Sequence, residues 1–224
     1  MIVIPVITID GPSGAGKGTI SQRVAESLGW HMLDSGSLYR LTALAATLDD
    51  IGLDNENALT PLAARLDVVF EPSTRGLRIL LRGKDVSEAI RAEEIGMKAS
   101  KVAALPAVRA ALLTRQRDFA QAPGLVADGR DMGTTVFPQA KLKVFMTASA
   151  EARAERRYKQ LMEKGISASL PALVADLKAR DEQDSNRSVS PLKPASDAIF
   201  LDTTTMGIDE VTERVLAEAR KIYR

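Results

Sequence analysis

Two residue types that often carry chemistry are scarce in this chain. Cysteine is absent from the 224 residues, and histidine occurs once, as His31. Without cysteine the chain can form no disulfide and no thiolate zinc site. A single histidine excludes multi-histidine metal centres and leaves one candidate for imidazole acid–base chemistry. We interpret His31 as structural, because it follows Trp30 in a short apolar segment that predicts a buried strand.

Long apolar runs and an excess of charge of one sign are also missing. Lysine and arginine number 30 against 29 aspartates and glutamates, for a net charge of +1. Such a surface lacks the broad positive field by which proteins hold DNA or RNA. No apolar run approaches the about 20 residues that a membrane-spanning helix needs. The N-terminal residues show no basic region and no cleavage site of a signal peptide. We therefore expect a cytoplasmic protein without nucleic-acid or membrane partners.

The order of strands and helices predicts an α/β fold. Apolar runs predict strands at residues 6–10, 30–33, 125–127, 142–146 and 198–201. The first run is followed by a helix in which Ile20, Val24 and Leu28 recur every four residues, with Gly29 placed to end it. Strands that alternate with helices predict a parallel five-stranded sheet wrapped by helices on both faces.

Two segments depart from this alternation. Residues 66–86 have a period of two, which predicts an antiparallel hairpin with its turn at residues 72–76. We interpret residues 60–90 as an insertion. Residues 151–187 form a charged, mostly helical stretch between the last two predicted strands. We expect one domain, residues 1–224, that contains the insertion and this helical region at residues 150–188.

The strongest motif is a glycine-rich segment between the first predicted strand and the first predicted helix. It consists of Gly11, Pro12, Ser13, Gly14, Ala15, Gly16, Lys17, Gly18 and Thr19. Its glycines let successive backbone N–H groups point at phosphate oxygens, and the following helix adds its positive dipole end. Lys17 can reach the β- and γ-phosphates of a nucleotide. A glycine-rich turn with an incidental lysine is the alternative, but the strand before and the helix after favour a phosphate loop.

The residue after the lysine departs from the general motif. That motif places a serine or threonine hydroxyl on Mg²⁺ at this position, whereas this chain has Gly18 followed by Thr19. We therefore assign no direct metal ligand in the loop. Mg²⁺ would arrive with ATP and be held mainly by phosphates and water, which suits its reluctance to lose water.

Five segments together resemble the bacterial cytidylate kinases, of the nucleoside monophosphate kinase family of P-loop proteins. Besides Gly-Lys-Gly-Thr in the loop, they are residues 33–40 (LDSGSLYR), 127–134 (ADGRDMGT), 180–184 (RDEQD) and 186–187 (NR). The resemblance extends from about residue 5 to the C-terminus, and Asp-Gly-Arg-Asp-Met-Gly is its most specific part. It implies a monomeric enzyme of pyrimidine metabolism that passes the γ-phosphoryl group of ATP, with Mg²⁺, to CMP or dCMP. Residues 60–90 would be the monophosphate-binding insertion, and residues 150–188 a lid.

The resemblance also implies roles for individual residues. The catalytic group is Lys17, Asp128, Arg130 and Arg187, and Arg153 and Arg157 join the loop in binding ATP. The implied CMP-binding residues are Ser35, Arg40, Ser100, Arg109, Arg130, Asp131, Arg180, Asp184 and Arg187. Arg40 would meet the acceptor phosphate, Asp131 the cytosine amino group, and Asp128 magnesium-bound water. Phosphoryl transfer depends chiefly on positioning and positive charge, so arginines on several segments suit this chemistry.

Simpler interpretations of these residues stay open from the sequence itself. Ser35 could be only a helix N-cap, and Asp128 with Arg130 only a turn with a surface ion pair. Arg180 and Asp184 have the spacing of a solvated helical pair, and Arg187 would share their face if the helix continues.

Two other functions also remain. One is a P-loop kinase acting on UMP, AMP or an alcohol, which would not need Asp131 as an acceptor for a base amino group. The other is a GTP-dependent switch, but this chain has no Asn/Thr-Lys-x-Asp motif for reading guanine.

Overall fold

A computed structural model describes residues 4–73 and 76–223 of the chain. Its strands are β1 (Val6–Asp10), β2 (His31–Asp34), β3 (Val68–Ser73), β4 (Gly76–Leu81), β5 (Lys84–Asp85), β6 (Leu125–Gly129), β7 (Leu142–Thr147) and β8 (Ile199–Asp202). Its α-helices are α1 (Lys17–Leu28), α2 (Ser35–Leu48), α3 (Glu56–Ala64), α4 (Glu93–Val102), α5 (Pro106–Asp118), α6 (Ala150–Glu163), α7 (Leu170–Ser185) and α8 (Ile208–Ile222). A 3₁₀ turn covers Ala89–Arg91, and a π-helical turn, here called the π-turn, covers Met132–Val136.

The chain forms two compact units, one built from residues 1–34 and 117–224 and the other from residues 35–116. We call them the first and the second unit. The first unit holds a five-stranded sheet in the order β2-β6-β1-β7-β8. Every neighbouring pair is parallel. The α/β fold with a parallel five-stranded sheet is therefore confirmed.

Burial in the first unit follows from the position of each strand. β1 lies in the middle of the sheet and is buried along its whole length. Ile7 and Ile9 from β1 pack with Ile20 of α1 and Leu216 of α8 in one apolar core. The β-branched run of β1 thus fits a strand whose faces both meet other side chains.

Two glycines shape the loop before α1 and the end of that helix. Gly11 has a φ of 153°, and a Cβ there would lie 2.2 Å from the backbone oxygen of Met146 in β7. Any side chain would collide with that strand, so glycine is required where the loop begins. Gly29 ends α1 in the left-handed conformation, as its position in the sequence predicts.

Two expectations about the first unit need correction. Among the described residues β2 pairs with β6 alone, at the edge of the sheet, so His31 is exposed rather than buried. Its Nε2 lies 2.9 Å from the backbone oxygen of Ala122. The helical character of residues 151–187 is confirmed by α6 and α7, but α7 ends at Ser185. Arg187 therefore does not continue the helical face of Arg180 and Asp184.

The second unit contains the predicted antiparallel hairpin. β3 pairs with β4 from Val68 opposite Leu81 to Ser73 opposite Gly76, and the short β5 adds a third strand. Residues 74 and 75 of the predicted turn lie outside the described residues. Neither β5 nor α3 was predicted. A proline inside α3, Pro61, obscures its helical pattern, although Asn55 caps its start. The division into one domain with an insertion and a lid stays a prediction.

Among residues 4–73 and 76–223, no helix is both long and apolar enough to cross a membrane.

Candidate active site

The carboxyl ends of three adjacent strands place acidic residues around one lysine. Asp10 ends β1, Asp34 ends β2, and Asp128 of β6 lies in register with Asp34. Lys17 begins α1 directly after the phosphate loop. Lys17 is 6% exposed, Asp10 4% and Asp128 5%, so the site places several charges in a poorly solvated environment.

Asp128 was predicted from the sequence as a site residue, whereas Asp10 and Asp34 were not. An acidic residue at the carboxyl end of a predicted strand is the signal that pointed to Asp128, and it applies equally to the other two. The end of a parallel strand is where ligands of such sheets bind, so all three aspartates belong to the candidate site.

Lys17 is held across the phosphate loop. Its Nζ donates a hydrogen bond of 2.9 Å to the backbone oxygen of Pro12. Burial and the neighbouring Arg130 lower the pKa of Lys17, whereas Asp128, Asp34 and Asp10 act in the opposite direction. The ammonium therefore lies at the concave side of the loop, where the phosphates of a nucleotide would supply additional negative charge.

Asp128 carries an oxygen available to a further partner. Burial and the nearby Asp34 raise the pKa of Asp128, and Lys17 and Arg130 oppose that rise. Its buried Oδ2 accepts no hydrogen bond from any of the described residues. A Cβ at Gly18 would lie 3.6 Å from this oxygen. The glycine that departs from the general motif thus lies directly beside the open carboxylate oxygen.

The first unit offers limited means of holding a metal ion. Within the described residues, no group of three or more histidine, cysteine, aspartate or glutamate side chains could hold one. The open Oδ2 of Asp128 fits an ion that keeps most of its water and arrives with phosphates.

Asp10 connects β1 to the π-turn that follows β6. Its two carboxylate oxygens accept hydrogen bonds of 2.8 Å from the backbone N–H groups of Met132 and Gly133. Burial is the main reason that its pKa rises to about 6, with a smaller contribution from Asp131. The two backbone hydrogen bonds and Lys17 limit that rise.

Three of the predicted arginines converge on Asp184. Arg130 donates from Nε to Asp184 Oδ2 at 2.7 Å. Arg187 donates from Nε to the Asp184 backbone oxygen at 3.2 Å, and its Nη2 lies 3.8 Å from Oδ1. Burial works to raise the pKa of Asp184, but Arg130, Arg187 and Arg180 together hold it below its usual value. Asp131, also buried, follows Arg130 directly. The structure therefore brings four of the predicted acceptor residues of the first unit into one neighbourhood, namely Arg130, Arg180, Asp184 and Arg187.

Arg153 connects the helical segment to the phosphate loop. Its side chain is buried, and its Nη1 donates to the Ser13 backbone oxygen at 2.8 Å. The same guanidinium forms a bidentate ion pair with Asp181 of α7. Arg157 lies one turn further along α6 and is half-buried. Arg153 thus contacts the loop, and its role in binding ATP stays a prediction.

The second unit holds the four remaining predicted acceptor residues, Ser35, Arg40, Ser100 and Arg109. Ser35 begins α2 and is buried, as is Ser100 in α4. Arg40 donates from Nη1 to the backbone oxygen of Ile90 at 2.7 Å. The guanidinium carbon of Arg109 lies 5.5 Å from the centre of the Tyr39 ring, within the range of a cation–π contact. None of the four is therefore a simple solvated side chain.

Comparison with solved structures gives the fold. A protein from Thermus thermophilus, 19% identical, aligns over 100% of both chains with a TM-score of 0.50. At this identity the likeness concerns the fold alone.

Comparison with protein sequences is more specific. Proteins named cytidylate kinase are 61% identical in Pseudomonas syringae pv. tomato, over 97% of this chain and 96% of the relative, and 59% identical in Aeromonas hydrophila, over 97% and 94%. A third, from Proteus mirabilis, is 55% identical over 99% of this chain and 98% of its own. The sequence model of the family described as cytidylate kinase matches residues 7–221. With the phosphate loop and the Arg130–Asp131 turn in the matched region, the chain belongs to the cytidylate kinase family.

Proposed function

We propose that this chain transfers the γ-phosphoryl group of ATP to CMP, and also to dCMP, giving ADP and CDP or dCDP. The observation that carries the proposal is the close grouping of a buried phosphate-loop lysine with an arginine cluster in one unit. Burial is the main cause of the lowered pKa of Lys17, and Arg130 is the second, so this arginine lies near the lysine at the loop. A site that gathers positive charge in this way suits a reaction between two phosphorylated molecules.

The donor side is assigned to the phosphate loop and α6. Backbone N–H groups of residues 11–19 and the start of α1 would hold the phosphates of ATP. Lys17 would bind the β- and γ-phosphates. Arg153 is assigned to the same side, since it donates to the Ser13 backbone oxygen of the loop. Arg157, one turn further along α6, is assigned there on the family resemblance.

Mg²⁺ is assigned to the ATP phosphates, with Asp128 orienting one of its water molecules. When bound, the ion would neutralise part of the phosphate charge. The unsatisfied Oδ2 of Asp128 supports this role because it can accept a hydrogen bond from water. Gly18 leaves space next to that oxygen, since it has no side chain to cover it.

Transfer itself needs no general base in this proposal. An oxygen of the CMP phosphate, already ionised, attacks the γ-phosphorus while the bond to the β–γ bridging oxygen breaks. Arg130 and Arg187 would neutralise the charge on the reacting groups, and Asp184 orients them through the contacts described above. The catalytic group is therefore Lys17, Arg130, Arg187 and, through water, Asp128.

Recognition of the acceptor is assigned first to residues of the first unit. Asp131 would accept a hydrogen bond from the cytosine amino group, and Arg180 and Asp184 would meet the sugar and phosphate. The other acceptor residues, from the second unit, are proposed on the family resemblance: Ser35, Arg40, Ser100 and Arg109. A carboxylate facing the base favours cytosine over uracil, because uracil presents a carbonyl acceptor at the same position.

The deciding experiment measures ADP release with CMP, dCMP, UMP and AMP at saturating MgATP. We expect kcat/KM to be highest for CMP, with dCMP next and UMP and AMP far behind. Lys17→Met, prepared in the same way, serves as the control that attributes the activity to this chain. Faster turnover of UMP or AMP than of CMP would favour another nucleotide kinase. We also propose that the enzyme is a cytoplasmic monomer. Size-exclusion chromatography of the purified chain would test its oligomeric state.

A further inference from the structure

The turn that carries Arg130 and Asp131 is bonded to the end of β1 through one side chain. Asp10 accepts hydrogen bonds from the backbone N–H groups of Met132 and Gly133, both at 2.8 Å. These two groups open the π-turn immediately after Asp131. Because the first N–H groups of a helical turn lack partners within the turn, a carboxylate at this point both caps it and fixes its position.

Close packing leaves the π-turn little room beside β1 and β7. A Cβ at Gly133 would lie 2.9 Å from Thr8 Oγ1 and 3.1 Å from Lys143 Cδ. Glycine therefore lets the backbone approach the strands closely enough for both hydrogen bonds to Asp10. At the far end of the turn, Arg117 donates to the backbone oxygens of Val136 at 3.0 Å and Thr135 at 3.3 Å, and Thr135 Oγ1 lies 3.2 Å from Ser190 Oγ.

Asp10 also connects the turn to the phosphate loop through the backbone. It is the last residue of β1, and Gly11 begins the loop directly after it. The position of the Asp10 carboxylate is thus set by the strand that also sets the start of the loop. A rigid connection between the two segments follows, since both oxygens of one buried carboxylate are engaged.

From these contacts we propose that Asp10 is a positioning residue, which fixes the turn bearing Arg130 and Asp131 relative to the phosphate loop. Asp10 would touch neither nucleotide. It would act through the backbone of Met132 and Gly133 on the direction of the Asp131 carboxylate and on the place of Arg130. This inference rests on the proposed function of those two residues and adds a residue to which no role in the reaction was assigned from the sequence.

The variant Asp10→Asn tests this role because it keeps the shape of the side chain. An asparagine oxygen can accept from one of the two N–H groups, but its NH₂ group then faces the other, and two donors cannot bond. The turn should shift, and a misplacement of this kind lowers kcat/KM for CMP by about 10- to 100-fold. We expect the ratio of kcat/KM for CMP to that for UMP to fall, because the turn carries Asp131, the residue proposed to read the base.

Asp202→Asn is a matched control. Asp202 ends β8 and likewise accepts from groups of a residue that follows it, Thr204 N at 2.9 Å and Thr204 Oγ1 at 2.6 Å. Its replacement should leave the CMP-to-UMP ratio as in the unmodified chain. Equal changes of the ratio in both variants, or no change in Asp10→Asn, would overturn the positioning role.

A second variant keeps the test decisive if Asp10→Asn does not fold. Thr135→Val removes the hydroxyl contact at the other end of the π-turn, so it should lower the same ratio to a smaller extent. An unchanged ratio in Thr135→Val, with Asp10→Asn unfolded, would make Asp10 a folding residue and refute the proposal. Failure of the proposed function would be distinguishable from failure of the positioning role, because the unmodified chain itself would then show no preference for CMP over UMP.

Discussion

The charge on Asp10 should destabilise the folded chain at neutral pH. Burial raises its pKa from 3.8 to about 6, so in that pH range the folded chain holds a proton that the unfolded chain has released. The free energy of unfolding therefore falls as pH rises through this range, and the effect is complete only above the folded pKa. The difference between 3.8 and about 6 corresponds to about 3 kcal/mol.

Asp10→Asn removes the ionisation and leaves a neutral side chain of the same shape. At about pH 4, where Asp10 is largely protonated, Asp10→Asn should be the less stable protein, because its NH₂ group leaves one buried N–H donor of the turn without an acceptor. By about pH 7 the unmodified chain should have lost about 3 kcal/mol relative to Asp10→Asn. The change of the stability difference with pH therefore separates the ionisation of Asp10 from the lost hydrogen bond.

The measurement is urea unfolding followed by circular dichroism, for both proteins at a series of pH values. Asp202→Asn is a control for which stability should depend on pH in the opposite direction, because hydrogen bonds from Thr204 lower the pKa of Asp202. For that residue the contribution to stability is present above the unfolded pKa and is lost as pH falls. A difference between Asp10→Asn and the unmodified chain that stays constant across the pH series would refute the reasoning about burial.

Three further predictions concern the phosphate loop, the base site and the lid. Lys17→Ala should lower turnover by several orders of magnitude, because the phosphates lose their buried ammonium, while circular dichroism shows an intact fold; an unchanged rate would remove the loop from the mechanism. Asp131→Ala should lower the ratio of kcat/KM for CMP to that for UMP by about 10- to 100-fold, chiefly through slower turnover of CMP; a retained ratio would mean that another group reads the base. Hydrogen exchange of residues 151–187 should slow when ATP and CMP are both present, as expected of a lid that excludes water, and equal exchange with and without nucleotides would contradict the lid.

The order of strands and helices in the first unit could be predicted because its signals are local. The buried run of β1, the four-residue spacing in α1 and the cap at Gly29 each depend on a few neighbouring residues. Edge positions could not be predicted in this way. Whether His31 is buried depends on β2 having β6 as its only neighbour in the sheet, which is a property of the assembled strands.

The residues of the candidate site could be predicted better than the hydrogen bonds and ion pairs between them. The family resemblance named Arg130, Asp184 and Arg187 as site residues. The contacts of the Asp184 carboxylate with both arginines could be learned only from the folded structure. The role of Asp10 was missed for a similar reason. Its partners are the backbone N–H groups of residues far along the chain. Since every residue except proline has such a group, the sequence does not indicate which residues donate to Asp10.

The buried carboxylates explain how an arginine cluster can exist before nucleotides bind. Positive side chains held near each other repel, and each prefers water to a protein interior. Asp184 relieves that repulsion by accepting from Arg130 Nε, and a guanidinium has five N–H donors in all. Because this bond engages Nε, the carboxylate can orient Arg130 without competing for the terminal nitrogens that suit a phosphate. Asp184 thus holds the guanidinium while Asp10 holds the backbone beside it, so phosphate binding requires little rearrangement of Arg130.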